Sequence, residues 1–158
     1  MEHHRLVTIM ATPGEVAATV DRRRRPVHVT LVGNFHVDPK AHDVLSTDLA
    51  TVTSSVQAFQ VRLGPAAQFG GSHNIPVLLA EHPMFHLLHT ALAARVKGLT
   101  GFAAAEPAYW TGGYRPHVTL GTVVNAVEGE LLTVNWITLV ALEGRTGRRL
   151  STVQLTPR

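Results

Sequence analysis

The sequence contains no cysteine among its 158 residues. This absence excludes a disulfide-stabilised scaffold, a zinc site with thiolate ligands and a cysteine nucleophile. A chain without disulfides suits a reducing compartment, and we expect the protein to be cytoplasmic. Aromatic residues are also scarce, at 6%, so alanine, valine and leucine must supply most of the core.

Long hydrophobic segments are missing too. The N-terminal segment MEHHRLVTIM lacks the apolar centre of a signal peptide. No uninterrupted apolar run approaches the ~18 residues that span a bilayer, so we expect no membrane partner. Charged residues amount to 16%, and the formal net charge is +3 with the ten histidines counted as neutral. This mild positive charge favours phosphate-bearing ligands without by itself deciding the function.

The hydrophobic pattern predicts an α+β fold in a single domain that spans residues 1–158. Runs rich in β-branched residues indicate strands, and amphipathic or well-capped segments indicate helices. The predicted strands cover residues 5–10, 27–35, 58–64, 75–81, 115–124, 135–144 and 148–157, and the predicted helices cover 11–25, 38–56 and 82–99. Residues 64–74 and 100–114 are predicted to be loops.

The first predicted helix depends on local signals at its start. Thr12 is a good N-cap, Pro13 suits the first helical position, and Glu15 completes a T-x-x-E capping box. The four arginines at 22–25 follow in or after the last turn, where cations complement the helix dipole. We interpret them as solvated cations, with a patch that steers ligands as the alternative.

The most informative feature is a repeat of the four residues His-Val-Thr-Leu, at 28–31 and again at 117–120. Each copy follows closely behind an Arg-Pro pair. The two histidines are 89 positions apart (117 − 28), about half the chain, and each copy follows a strand-then-helix segment. This spacing suggests an internal duplication that produces two similar lobes.

Alternation along a strand gives each copy a polar and an apolar face. Because residues i and i+2 point the same way, His28 projects with Thr30, and His117 projects with Thr119. The intervening valines and the following leucines point toward a core. A histidine and a threonine on one face suit chemistry on a ligand, but imidazoles that bind backbone carbonyls for structural reasons remain the alternative.

These paired HVT segments resemble the motifs of the two-histidine (2H) phosphoesterase superfamily, which includes 2′-5′ RNA ligase-like proteins and cyclic phosphodiesterases. The segments FGGSHNIPVLLAE, MFHLLHTALAARV and YRPHVTLG also occur in the order that this family shows. The resemblance implies two pseudo-symmetric lobes of antiparallel sheet with helices packed outside. It implies a central groove between the lobes, with His28 and His117 on opposite walls.

The resemblance implies a metal-independent phosphodiesterase without a cofactor. His28 and His117 would act as general acid and base, in an order that the sequence leaves open. Thr30 and Thr119 would donate hydrogen bonds to the phosphate oxygens. The substrate would be a nucleotide or a short or cyclic oligonucleotide, with RNA ends as a further candidate, because the chain carries no added RNA-binding domain. The alternatives are an enzyme that destroys cyclic oligonucleotide immune signals and a catalytically silent nucleotide-binding module.

Five further residues are candidates for substrate binding. Arg115 lies two positions before His117, so it shares the face of that histidine if the strand continues through the proline. In the first copy a proline takes that position, so only the second copy offers this arginine. Tyr109, Trp110 and Tyr114 are candidates for base stacking, and Phe35 is a candidate for a wall of the groove, with core packing as the alternative.

Three histidines on the last predicted helix, His82, His86 and His89, have a spacing that can bind zinc. No carboxylate or thiol nearby completes a ligand set. We therefore interpret them as a solvent-facing stripe and predict no metal site.

Overall fold

A computed structural model describes residues 5–121 and 126–157 of the chain. The described part contains two α-helices, α1 (His42–Thr53) and α2 (Pro83–Val96). The strands are β1 (Arg5–Thr12), β2 (Thr19–Asp21), β3 (Val29–Val37), β4 (Phe59–Arg62), β5 (Ala66–Phe69), β6 (Ile75–Leu79), β7 (Ala103–Ala104), β8 (His117–Thr119), β9 (Leu131–Val134), β10 (Trp136–Glu143) and β11 (Thr146–Gln154). Single turns of 3₁₀-helix lie at Pro39–Ala41, Pro107–Tyr109 and Thr111–Gly113. The predicted α+β class is confirmed.

The strands form three antiparallel sheets. The largest has the order β2-β11-β10-β1-β3-β7, a second has the order β5-β6-β8, and β4 pairs with β9. The first HVT motif leads into β3, the strand next to the β7 edge of the large sheet, and the second occupies β8, the last strand of the three-stranded sheet. The motifs therefore lie on different sheets, as a two-lobed arrangement requires, while their origin in an internal duplication remains a prediction.

Helix packing brings these sheets into one core. The helices pack against each other, and they contact β11 and β3 of the large sheet. Phe85, Leu88 and Leu92 of α2 are buried, as their helical spacing predicts. Strands β3 and β8 also approach each other without pairing, which places the two motifs side by side.

The predicted helix over 11–25 is wrong. Thr12 is instead the fully buried last residue of β1, and its hydroxyl donates to the carbonyl of Gly14 and caps no helix. Val16 and Val20 are buried against one face of the large sheet, with Val20 in the short strand β2 that pairs with β11. Burial of these two valines outweighs the local capping signals, because propensity is a weak determinant beside tertiary packing.

Several short elements were not predicted. Residues 64–74 contain β5, which forms a hairpin with β6, and residues 131–134 form β9. The strand predicted over 115–124 is shorter, since β8 covers His117–Thr119 and residues 122–125 lie outside the described part. Strands of four residues or fewer carry too little alternation to be recognised from sequence alone. No helix in the described residues has the length and apolar character that crossing a bilayer requires.

Candidate active site

The alternation predicted for both motifs is confirmed. Val29 and Leu31 are fully buried, and Val118 is 1% exposed. The threonines point the other way: Thr30 is half-buried and Thr119 is exposed. The apolar residues thus anchor each motif in the core, while Thr30, His117 and Thr119 face a shared opening.

Both motif histidines make the same backbone contact. Nδ1 of His28 lies 2.8 Å from the carbonyl oxygen of Pro26, and Nδ1 of His117 lies 2.7 Å from that of Arg115. A carbonyl oxygen only accepts, so Nδ1 carries the hydrogen in each ring. The basic nitrogen of each neutral imidazole is therefore Nε2, and the ring is held in one orientation for proton transfer there.

Both histidines favour the neutral form. The pKa of His28 is lowered from 6.5 to about 4, chiefly by loss of water around the ring and in smaller part by the positive charges of Arg25 and His117, against the opposing effect of the Pro26 bond. Burial also lowers the pKa of His117, with Arg115 adding to the effect. The shift of His28 is the larger of the two. The charge of His117 is the smallest of the causes that lower the pKa of His28.

A cavity of about 550 Å³ opens where β3 and β8 approach each other. Seven of the nine predicted site residues line it: Thr30, Tyr109, Trp110, Tyr114, Arg115, His117 and Thr119. His28 is not among the lining residues, and it joins the site through its proximity to His117. Phe35 is also not among them, because it is fully buried and packs against Phe102 and Trp110 in the core. The assignment of Phe35 to substrate binding is therefore wrong.

The three loop aromatics differ in exposure. Tyr109 is 40% exposed and presents its ring to the cavity. Trp110 is 6% exposed and packs edge-on against Phe35, so only a small part of its ring faces the cavity. Tyr109 is consequently the aromatic side chain best placed to stack on a base.

Tyr114 connects the two motifs. It is 8% exposed, and its hydroxyl donates to the carbonyl oxygen of Thr30 at 2.9 Å. Its ring stacks on His89, with the centroids 4.0 Å apart and an interplanar angle of 3°. Because Tyr114 precedes Arg115 directly, this residue fixes the second motif against the backbone of the first.

His89 corrects the prediction of a solvent-facing histidine stripe. It is 2% exposed, its Nδ1 donates to the carbonyl of Leu31 at 2.7 Å, and its Nε2 accepts the backbone N–H of Thr111 at 2.9 Å. His82 caps the start of α2 through Met84, and His86 contacts a glutamate. The described residues contain no cluster of three or more residues with metal-binding side chains.

Eight further residues line the cavity that were not predicted as site residues, and Phe69 and Arg25 are the most informative of them. Phe69, at the end of β5, places its ring 4.6 Å from that of His117 and 4.9 Å beneath the guanidinium of Arg115. Arg25, interpreted as a solvated cation, is half-buried and lines the cavity. The first motif therefore also has an arginine at the cavity. It lies three positions before His28, whereas Arg115 lies two positions before His117. The feature of the sequence that could have identified Arg25 is the run of arginines directly before the first motif.

Comparisons with known proteins identify the fold and the family. A family model described as the 2′-5′ RNA ligase superfamily matches residues 9–134. Three solved structures share the fold, each covering 97% or more of both chains: E. coli LigT complexed with 3′-AMP (21% identity, TM-score 0.58), E. coli LigT complexed with ATP (18%, 0.61) and TT0787 of Thermus thermophilus (18%, 0.63). No curated protein sequence matches the chain significantly. Because the family model covers well over half of it, the chain belongs to the 2′-5′ RNA ligase superfamily.

Proposed function

We propose that this protein is a metal-independent phosphodiesterase that cleaves an RNA-type phosphodiester by general acid and base catalysis from His28 and His117. The observation that carries the proposal is the matched Nδ1 contact of the two rings, at 2.8 and 2.7 Å. It leaves Nε2 of each ring as the atom for proton transfer, and family membership supports a phosphodiesterase.

The reaction on a 2′,3′-cyclic phosphate illustrates the proposed roles. Nε2 of His28 takes a proton from water as its oxygen bonds to phosphorus. Nε2–H of His117 gives a proton to the 2′ or 3′ oxygen as its bond to phosphorus breaks, which leaves a nucleoside monophosphate. We assign the base role to His28 because its pKa is the more strongly lowered, so it starts neutral.

The threonines and the cavity walls supply binding. Thr30 and Thr119 donate hydrogen bonds to the non-bridging oxygens, where charge increases in the transition state. Tyr109 stacks on a base at the rim of the cavity. That structures of E. coli LigT hold 3′-AMP, ATP and NADP+ supports a nucleotide as the ligand of the related cavity in this chain.

A substrate panel tests the proposal. The purified protein is assayed with EDTA on nucleoside 2′,3′-cyclic phosphates, 2′-5′ dinucleotides and cyclic oligonucleotides. We expect turnover of at least one class, undiminished by the chelator. Selective turnover of cyclic oligonucleotides would favour the enzyme that destroys immune signals. Binding without cleavage across the panel would contradict the proposal in favour of the silent binding module, and turnover lost with EDTA would contradict the metal-free mechanism.

A further inference from the structure

The arginines of this protein differ in their partners. Five that lie away from the cavity pair with carboxylates: Arg5 and Arg148 with Glu143, Arg23 with Asp21, Arg95 with Asp48, and Arg149 with Glu15. Arg22 and Arg62 donate to backbone carbonyl groups, and Arg24 and Arg145 form no ion pair with a carboxylate of the described residues. Arg25 and Arg115 line the cavity, and neither has a carboxylate within 4 Å among the described residues. Glu106 lines the same cavity but forms no ion pair with either of them.

Arg25 is oriented by the protein itself. Its Nε donates to the carbonyl of Arg22 at 3.1 Å, which leaves the two terminal amino groups of the guanidinium available to a ligand. The side chain is half-buried, and this loss of water lowers the pKa of Arg25. A partly desolvated cation without a carboxylate partner favours an anionic ligand. Arg25 lies three residues before His28 and lines the main cavity together with Thr30, so it is on the base side of the proposed reaction centre.

Arg115 has a different position in the cavity. Its guanidinium is held over the ring of Phe69 at 4.9 Å. A smaller groove of about 180 Å³, lined by Gln68 and His73, adjoins the main cavity. Arg115, Phe69, Gly70 and Tyr109 line both spaces, whereas Arg25 lines only the main cavity. Arg115 therefore lies at the junction where a ligand would pass out of the main cavity.

The two arginines are thus not symmetric partners around one phosphate. Both line the main cavity beside a motif histidine, but only Arg115 also borders an extension of the cavity with room for additional substrate. A single phosphodiester carries one negative charge, which one guanidinium binds through a pair of hydrogen bonds. A second unpaired guanidinium at the junction matches a second phosphate.

We propose that the preferred substrates of this protein are nucleotides with at least two phosphate groups, in which Arg25 binds the phosphate that is cleaved and Arg115 binds a second phosphate at the mouth of the side groove. This inference rests on the proposed function for the location of the reaction centre. It names the substrate class as an oligonucleotide or a 5′-phosphorylated nucleotide. A nucleoside cyclic monophosphate is the minimal substrate and lacks the second contact.

Turnover of two matched substrates tests the inference. Adenosine 2′,3′-cyclic phosphate and its 5′-phosphorylated form differ only in the second phosphate. We expect kcat/KM to be at least about tenfold higher for the 5′-phosphorylated form, which is the usual worth of a hydrogen bond to a charged group. Arg115→Gln should abolish this preference, Arg25→Gln should lower both values alike, and Arg24→Gln, which removes the same charge from an exposed position, should change neither.

A binding measurement keeps the inference testable if neither compound is cleaved. Calorimetry compares adenosine 3′-monophosphate with adenosine 3′,5′-bisphosphate, and we expect the bisphosphate to bind about tenfold tighter in the wild type but not in Arg115→Gln. Absence of turnover with this binding preference intact would reject the proposed function alone. Equal kcat/KM or equal affinity in the wild type, or a preference that survives Arg115→Gln, would overturn the second-phosphate site. Unfolding temperatures of the variants confirm that each is folded.

Discussion

The two HVT motifs use the same backbone contact in different surroundings. In both, the histidine Nδ1 donates to the carbonyl of the residue two positions earlier. The first motif leads into a strand of the six-stranded sheet that has a neighbour on each side, and its histidine has the more strongly lowered pKa. The second lies on the last strand of a three-stranded sheet, with Phe69 against its imidazole. Identical sequence thus fixes identical ring orientation, while the surrounding sheets determine how each ring titrates.

The arginines show where the two motifs differ most. The second motif uses one residue, Arg115, both as the carbonyl partner of His117 and as a cavity cation. In the first motif Pro26 supplies the carbonyl, and Arg25, one residue earlier, supplies the charge. The additional residue Val27 before His28 separates the two roles, which breaks the symmetry of the site.

Removal of either imidazole is the strongest test of whether the two motifs are equally necessary. We expect His28→Ala and His117→Ala each to lower kcat by at least ~10²-fold on any substrate that the panel identifies, because each removes one proton-transfer group. His86→Ala, on the exposed side of α2, is the matched control and should retain full activity. Full activity in either motif variant would mean that one histidine suffices.

Removing the threonine hydroxyl of each motif tests whether both motifs bind the phosphate. Thr30→Val and Thr119→Val keep the shape of the side chain but lose the donor toward the non-bridging oxygens. We expect kcat/KM to fall by about 10- to 100-fold in each, the usual worth of a hydrogen bond to a charged group. Steady-state kinetics at fixed pH measure the loss. An unchanged value for Thr119→Val alone would show that the exposed motif binds no phosphate.

Loss of the hydrogen bond from Tyr114 to Thr30, which joins the two motifs, should have a smaller effect on kcat/KM. Tyr114→Phe removes only the hydroxyl that donates to the Thr30 carbonyl, so the first motif loses one positioning contact. We expect kcat/KM to fall about two- to tenfold, the net worth of one neutral hydrogen bond. Tyr109→Phe keeps its exposed ring and should leave kcat/KM unchanged, which makes it the control. Equal effects of the two substitutions would argue against a positioning role for Tyr114.

The sequence predicted the parts of the site that depend on local geometry. Alternation along a strand was enough to place His117 with Thr119 and to assign Val29 and Leu31 to the core. The predicted location of Arg115 beside His117 also agrees with the structure, since both line the cavity. These relations involve neighbours in sequence, so no knowledge of the tertiary fold was needed.

The remaining features depend on contacts that are distant in sequence. His89 is buried only because the backbone carbonyl of Leu31, 58 positions earlier, accepts its Nδ1–H. Phe69 reaches His117 because β5 and β8 flank the same strand. Phe35 follows the first motif closely, yet the alternation of β3 turns it into the core. No local pattern encodes such pairings, which is also why the helix over 11–25 was predicted in error.

The pH dependence of the reaction should reveal the difference between the two rings. As the base, His28 must be neutral, and it is neutral above about pH 4. As the acid, His117 must be protonated, and it is protonated below its own pKa, which lies under 6.5. We therefore expect a bell-shaped profile of kcat/KM with its maximum below pH 6.5 on adenosine 2′,3′-cyclic phosphate. The rising limb should disappear in His28→Ala and the falling limb in His117→Ala. A maximum above pH 7 would contradict the assignment.

The pH dependence of the unfolding temperature should show the same difference between His28 and His117, and this is the smallest of the expected effects. Because the pKa of His28 is lowered on folding, the unfolded chain binds more protons between about pH 4 and 6.5. The stabilisation from burying a neutral ring is thus complete above pH 6.5 and is lost as the pH falls toward 4. His28→Asn should flatten the decline of the unfolding temperature over this interval, and His117→Asn should flatten it less, because its pKa is lowered less. Some decline should remain in both, since His42 and His89 also have lowered pKa values. Calorimetric scans at several pH values measure the slopes. If the two variants gave equal slopes, the motifs would be electrostatically alike and the base assignment of His28 would lose its physical ground.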